Sequence, residues 1–276
     1  MLNLHIENKK ELFKKASDEL NRLLSVSGQR PVLLLLSGGS ALSILDHVRE
    51  NCLSPALTVV MLDERFSKKP SERNFDKLTS SLFWTKAERL GVALIDSRPI
   101  QKESMEDVAA RMHSEVLDWR GKNKNGFIAA TLGMGVDGHT AGVFPFPENP
   151  KFFWEVFENT ECAFVGYDAG KKTRERKRIT ATIPLFRAVD RAVAVISGAA
   201  KARALGRLFS PKGFVFETPA RIWHEMQSVQ VFTDISVDFS KLSSDGKFVK
   251  KQEVLKEAKR KNRRALSKKK KARRRV

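Results

Sequence analysis

The chain has 276 residues, 41% of them hydrophobic, which is enough for a sizeable core in one or two domains. Its formal net charge is +19 at pH 7, but residues 247–276 alone hold 16 Lys/Arg against 2 Glu, so the rest of the chain is only mildly basic. No apolar run approaches the roughly 20 residues of a membrane span, and "MLNLHIENKKELFKKASDEL" has no signal-peptide core. Cys52 and Cys162 stand far apart with no metal-binding spacing. They read as buried thiols of a cytoplasmic protein.

In chain order, Leu12, Ala16, Leu20, Leu23 and Leu24 give residues 9–24 a helical period. "VLLLL" (32–36) is short and continuous, as a strand buried on both faces should be. "SGGS" follows, and "ALSILDHV" predicts a helix. "LTVVML" (57–62) and "GVALID" (91–96) are the next strands, a helix is expected over 103–120, and "FIAATL" (127–132) is the fourth strand. "CAFVGY", "RITATI", "AVAVIS" and "VQVFTDI" supply further strands, with "AAKARALGRLF" a helix. This alternation predicts an α/β, Rossmann-like fold, a largely parallel sheet with helices on both faces. The body is expected over residues 1–244, closing in the turn-rich "DFSKLSSDG". Residues 245–276 are expected to form a basic extension, partly helical or disordered.

Three strands end abruptly in polar or glycine-rich residues: Leu36 into Ser37-Gly38-Gly39-Ser40, Leu62 into Asp63-Glu64-Arg65, and Leu132 into Gly133 through His139. Ligands of open α/β sheets bind beyond the carboxyl ends of strands, so these loops should meet at one edge. The paired glycines of Ser37–Ser40 before a helix suit an anion cradle, or serve as a simple turn with Ser40 as cap. Asp63 suits catalysis or an ion pair. Gly133-Met134-Gly135-Val136-Asp137-Gly138 also satisfies the dinucleotide pattern G-x-G-x-x-G. The chain continues with one glycine and three prolines within twelve residues, where that motif needs a helix, and Asp137 would face the phosphates. The glycines therefore serve other chemistry. His139, two residues after Asp137, is a candidate general acid–base.

Taken together, "LSGGS", "LDER", "GMGVDGHTAGVFP", "RITATIPL" and "SGAAKARAL" resemble the glucosamine-6-phosphate isomerase/6-phosphogluconolactonase superfamily over roughly residues 5–238. The resemblance implies His139 and Asp137 as a catalytic loop and Asp63 as a strand-end acid. It implies Arg178 and Lys201 as phosphate-binding residues beside Ser37, Gly38, Gly39 and Ser40, with Arg65 in the same substrate-binding set. After the histidine, Thr140-Ala141-Gly142-Val143-Phe144-Pro145 is similar to the lactonase branch; the deaminase branch has Ile-Ala-Phe-Asn-Glu-Pro there. The implied activity is hydrolysis of 6-phospho-D-glucono-1,5-lactone to 6-phosphogluconate. No zinc-like set of ligands appears in the sequence, so no metal or cofactor is expected, and the chain is expected to be a monomer or weak homodimer. The alternatives are a deaminase-like enzyme and a non-catalytic sugar-phosphate or polyanion binder. This chain departs from the family at Ala41-Leu42, Glu72-Arg73-Asn74-Phe75, Gly142-Val143 (usually Ser-Leu) and the basic "GKKTRERK" before Arg178. The extension is expected to contact polyanions such as RNA through phosphate charge alone.

Overall fold

A computed structural model describes residues 1–236. The chain runs β1 (Leu2–Ile6), α1 (Leu12–Leu24), β2 (Val32–Leu36), β3 (Leu57–Met61), β4 (Asp63–Arg65), α2 (Asn74–Thr79), α3 (Leu82–Arg89) and β5 (Ala93–Leu94). It continues α4 (Met105–Lys122), β6 (Phe127–Gly133), α5 (Pro150–Phe157), β7 (Phe164–Asp168), β8 (Lys177–Ala181), α6 (Ile183–Arg187), β9 (Arg191–Ile196), α7 (Ala202–Phe209) and β10 (Val229–Thr233). Seven strands form a sheet in the order β1-β10-β9-β6-β2-β3-β5, with every neighbouring pair parallel. Three others, β4-β8-β7, make a separate antiparallel sheet.

The continuous apolar runs follow from burial on both faces. Leu33 and Leu35 of β2 point into one core with Val60, Ile128 and Ala130, while Val32, Leu34 and Leu36 point into another with Val59, Met61 and Ala129. Side chains alternate across a strand, so each run must be apolar at every position. The five apolar positions of α1 close the second core at 0–2% exposure. Ser104 starts α4 with a capping box to Asp107, and Val108, Met112, Val116 and Trp119 face the first core.

Several elements differ from the sequence expectation. The helix after Ser37–Ser40 is a 3-10 segment, Gly39–His47, in which Ala41 and Ile44 share the buried side at threefold spacing. The strand expected over 91–96 shrinks to Ala93–Leu94 at the sheet edge, where β3 is its sole neighbour. β7 and β8 leave the parallel sheet for the antiparallel one, and β1, half-buried at the opposite edge, adds a strand that periodicity did not signal. Cys52 is buried as expected, but Cys162 is exposed in the turn that precedes β7. No helix among the described residues is long and apolar enough to cross a membrane. The expected end of the body near residues 238–244 and the extension from 245 lie outside the described residues.

Candidate active site

Strands β2, β3 and β6 lie side by side, and their carboxyl ends open onto a cleft of about 180 Å³. Ser37, Gly38, Gly39, Ser40, Asp63, Arg65, His139, Arg178 and Lys201 all line it; these are nine of the ten residues singled out in the sequence. The tenth, Asp137, stands behind His139. Its Oδ1 lies 2.6 Å from His139 Nδ1 and also accepts the His139 backbone N–H at 3.1 Å. Burial opposes the Asp137 charge, but the bonds and charge of His139 outweigh it and hold the carboxyl below the usual carboxylate range. In the tautomer with its proton on Nδ1, the imidazole donates to Asp137 and Nε2 carries the lone pair.

Gly135 makes this pairing possible. A Cβ there would lie 2.1 Å from His139 Cε1 and 2.2 Å from Nδ1, so any side chain would displace the imidazole. The loop is pinned by Gly135 N donating to His139 O (2.9 Å), Ala220 N to Gly138 O (2.9 Å) and Arg207 Nη2 to Asp137 O (2.7 Å). The ring of Phe144 packs on the imidazole at 4.6 Å and also lies 5.7 Å from the Arg178 guanidinium.

The small sheet delivers the charges. Once Leu62 N has donated to Leu36 O, the chain leaves the parallel sheet, and β4 pairs Asp63 with Thr180 and Arg65 with Arg178. Residues more than a hundred positions apart thus meet by register. Arg178 Nη2 donates to Asp63 Oδ2 at 2.9 Å, with both side chains about 5% exposed. Arg65 Nη1 donates to Glu72 O at 2.8 Å. The Nε atoms of Arg65 and Arg178 and the Ser37 hydroxyl are buried with no protein partner among the described residues. Buried donors of this kind call for an acceptor, and the cleft has room for one.

Lys201 arrives from the far side, after β9. Asp234 shapes its turn by accepting from Ser197 Oγ and Gly198 N, each at 2.8 Å. Burial pushes the Lys201 amine below the ordinary lysine value, against the opposing pull of Asp234. Arg65, Arg178 and Lys201 outnumber Asp63 in the lining, so the cleft favours an anion.

Sequence reasoning missed the supports. Glu64 is fully buried and accepts from the backbone N–H of Arg65 (2.7 Å), Asn74 (2.6 Å) and Phe75 (2.7 Å), and from Ser97 Oγ (3.1 Å). Burial raises its pKa, opposed by those backbone bonds. Asn74 Nδ2 donates to Asp63 O at 2.9 Å. Tyr167 donates to Gly142 O, and burial pushes its phenol well above the usual value. The available signals were Glu64 within Leu-Asp-Glu-Arg and Asn74 within Glu72-Arg73-Asn74-Phe75, neither of which shows locally what it would bond.

A parallel α/β sheet with an anion-favouring cleft and a His–Asp pair at its carboxyl edge defines a class of small-molecule site. The chain belongs to the family of glucosamine-6-phosphate isomerases/6-phosphogluconolactonases, whose model matches residues 7–232. A 6-phosphogluconolactonase of Synechocystis sp. is 36% identical over 93 residues, a match that spans 33% of this chain and 33% of that one. Among solved structures, the 6-phosphogluconolactonase of Trypanosoma brucei superposes with a TM-score of 0.67 at 17% identity, covering 88% of this chain and 99% of that one. That of Plasmodium vivax gives 0.67 at 14% identity, covering 87% and 92%. At such identities the structural likeness speaks for the fold.

Proposed function

We propose that this protein hydrolyses 6-phospho-D-glucono-1,5-lactone to 6-phosphogluconate. The observation that carries this reading is the His139–Asp137 pair set beside a cleft lined by Arg65, Arg178 and Lys201. His139 Nε2 takes a proton from water as the water oxygen bonds to C1. The C1–ring oxygen bond then breaks, and the leaving oxygen receives that proton. Asp137 orients the imidazole and stabilises the imidazolium. Arg178 and Lys201 hold the phosphate, the Ser37–Ser40 loop offers hydroxyl and backbone donors beside them, and Asp63 serves as counter-charge to Arg178. The lactone is an activated ester, so a base and a positioned water suffice.

The family also contains isomerases that act on glucosamine 6-phosphate. Phe144 stands where their histidine-proximal segment has glutamate, and it puts an aromatic ring against His139. This favours lactone hydrolysis. The test is a coupled assay of 6-phosphogluconate formation, corrected for spontaneous opening, beside an assay of ammonia release from glucosamine 6-phosphate. Ammonia release without lactone turnover would reverse the reading.

The 16 basic residues of positions 247–276 support a second, separate property, sequence-independent binding of polyanions that weakens steeply with salt. Deleting residues 247–276 should remove most affinity for RNA or heparin and leave lactone hydrolysis nearly intact. Loss of turnover in the folded truncate would show that the extension takes part in the site.

A further inference from the structure

The turn that follows His139 holds an unusual backbone. Thr140 and Val143 exchange N–H···O bonds of 3.3 and 2.9 Å around Ala141 and Gly142. Ala141 has φ +49°, and Gln101 is the only other non-glycine residue with positive φ among the described residues. Two-residue turns with positive φ at the first central position alone ordinarily carry glycine there. Here alanine takes that position and glycine the next. A Cβ on residue 142 would lie 2.8 Å from Thr180 Cβ and 3.3 Å from Asp63 Cβ, so space fixes the glycine and leaves the strained conformation to Ala141.

Buried groups hold the turn in that state. Gly142 N donates to Thr180 Oγ1 at 3.0 Å, and Tyr167 donates to Gly142 O. Thr140 Oγ1 donates to Gly133 O at 3.0 Å and accepts from Trp223 Nε1 at 3.3 Å. Every backbone N–H and C=O of Thr140, Gly142 and Val143 is thereby paired. Within the turn, only those of Ala141 have no partner among the described residues, and Ala141 lines the cleft two residues from the base. Over-determined strain beside unpaired backbone groups points to a ligand-facing role.

Resting on the hydrolytic reading, we propose that the Ala141 N–H is an oxyanion donor, with Tyr167 and Thr180 as positioning residues. When the water oxygen bonds to C1, the carbonyl π pair moves onto the carbonyl oxygen, and the Ala141 N–H meets that charge. Collapse restores the C=O bond and expels the ring oxygen, which takes the proton held by His139. A donor that meets charge developing only in the transition state acts on kcat and leaves substrate affinity largely alone.

The direct experiment replaces residue 141 by L-lactic acid in the full chain, which turns the peptide N–H into an ester oxygen and keeps the methyl group. The expected result is a fall in kcat of about 10²- to 10³-fold with little change in KM, the usual effect of losing one oxyanion donor. A kcat within about twofold of the unmodified chain would overturn the assignment. Tyr167→Phe and Thr180→Val provide the second arm, and each should lower kcat more than it raises KM. If both variants melt earlier yet keep kcat per folded molecule, the brace is structural and the positioning role is lost. An unmodified chain with no lactone turnover would remove the hydrolytic reading and this role together. Turnover retained by the ester-bearing chain would remove this role alone.

Discussion

The seven-stranded parallel sheet and the three-stranded antiparallel sheet contribute different things to one cleft. The parallel sheet supplies backbone: its strands end in the Ser37–Ser40 and Gly133–His139 loops, whose glycines let main chain and imidazole approach closely. The small sheet supplies charge: one register pairs Asp63 with Thr180 and Arg65 with Arg178, so two guanidinium groups and their counter-ion arrive as a unit. Under the proposed hydrolysis, the chemical step would depend on loops of the first sheet, and recognition of the anion largely on side chains of the second. Glu64 couples them. It is the buried carboxylate that ties β4 to the start of α2 and to Ser97.

The largest effect expected is on chemistry. His139→Ala should lower kcat by about 10² to 10⁴-fold while the protein stays folded, because the imidazole is partly exposed and carries little of the core. Steady-state rates above the spontaneous background, with a thermal melt as control, provide the check. Wild-type kcat in the variant would separate the loop from the chemistry.

Glu64→Ala should damage the small sheet first. Each buried donor left unpaired costs about 1 to 3 kcal/mol, and Glu64 serves three besides the half-buried Arg65 N–H. A fall in melting temperature of roughly 10 °C is expected, against a much smaller one for Glu64→Gln, which keeps one carbonyl acceptor. Equal melts for the two variants would show that the network contributes little.

Lys201→Ala should raise KM by about 10- to 100-fold with a milder loss of kcat, since a charge-assisted contact to a remote phosphate is made in ground and transition states alike. Burial lowers the Lys201 pKa, so the wild-type KM should begin to climb at a pH below the ordinary lysine range, and that climb should be missing in the variant. Arg178→Ala is a less clean probe. It also strands Asp63 in a buried position, so lost stability should accompany the raised KM. KM–pH profiles and melts of both variants distinguish the two residues.

The smallest effect concerns Asp137. Its folded-state pKa lies below the ordinary carboxylate value, so the stability it contributes is complete above that ordinary value and is lost as the pH falls through the lowered one. Denaturant melts between neutral and acid pH should show this component in the wild type and lack it in Asp137→Asn. Superimposable pH profiles would mean that the His139 bond stabilises neither partner.

The contrast between the two sheets also explains what the sequence could tell. Strands such as Val32–Leu36 and Phe127–Gly133 are covered on both faces, so their apolar runs and abrupt polar endings were readable. β1 was not, because its residues are half-buried at an edge and include Asn3 and His5. β4 consists of three charged residues, and nothing local marks Asp-Glu-Arg as a strand; it exists because β8 pairs with it. The same reason hid Thr180, Tyr167 and Asn74, whose bonds depend on register and packing across distant segments. His139 and Asp137 were legible as neighbours in a loop, but their 2.6 Å contact depended on space left by Gly135.

The most direct measurement compares kcat/KM of the wild-type chain on 6-phospho-D-glucono-1,5-lactone and on glucono-1,5-lactone, each corrected for its spontaneous opening. If the parallel-sheet loops perform the hydrolysis and the cations read the phosphate, the phosphorylated lactone should be preferred by at least about 100-fold, chiefly through KM. Equal values for the two lactones, or no turnover of either above background, would contradict that division of labour.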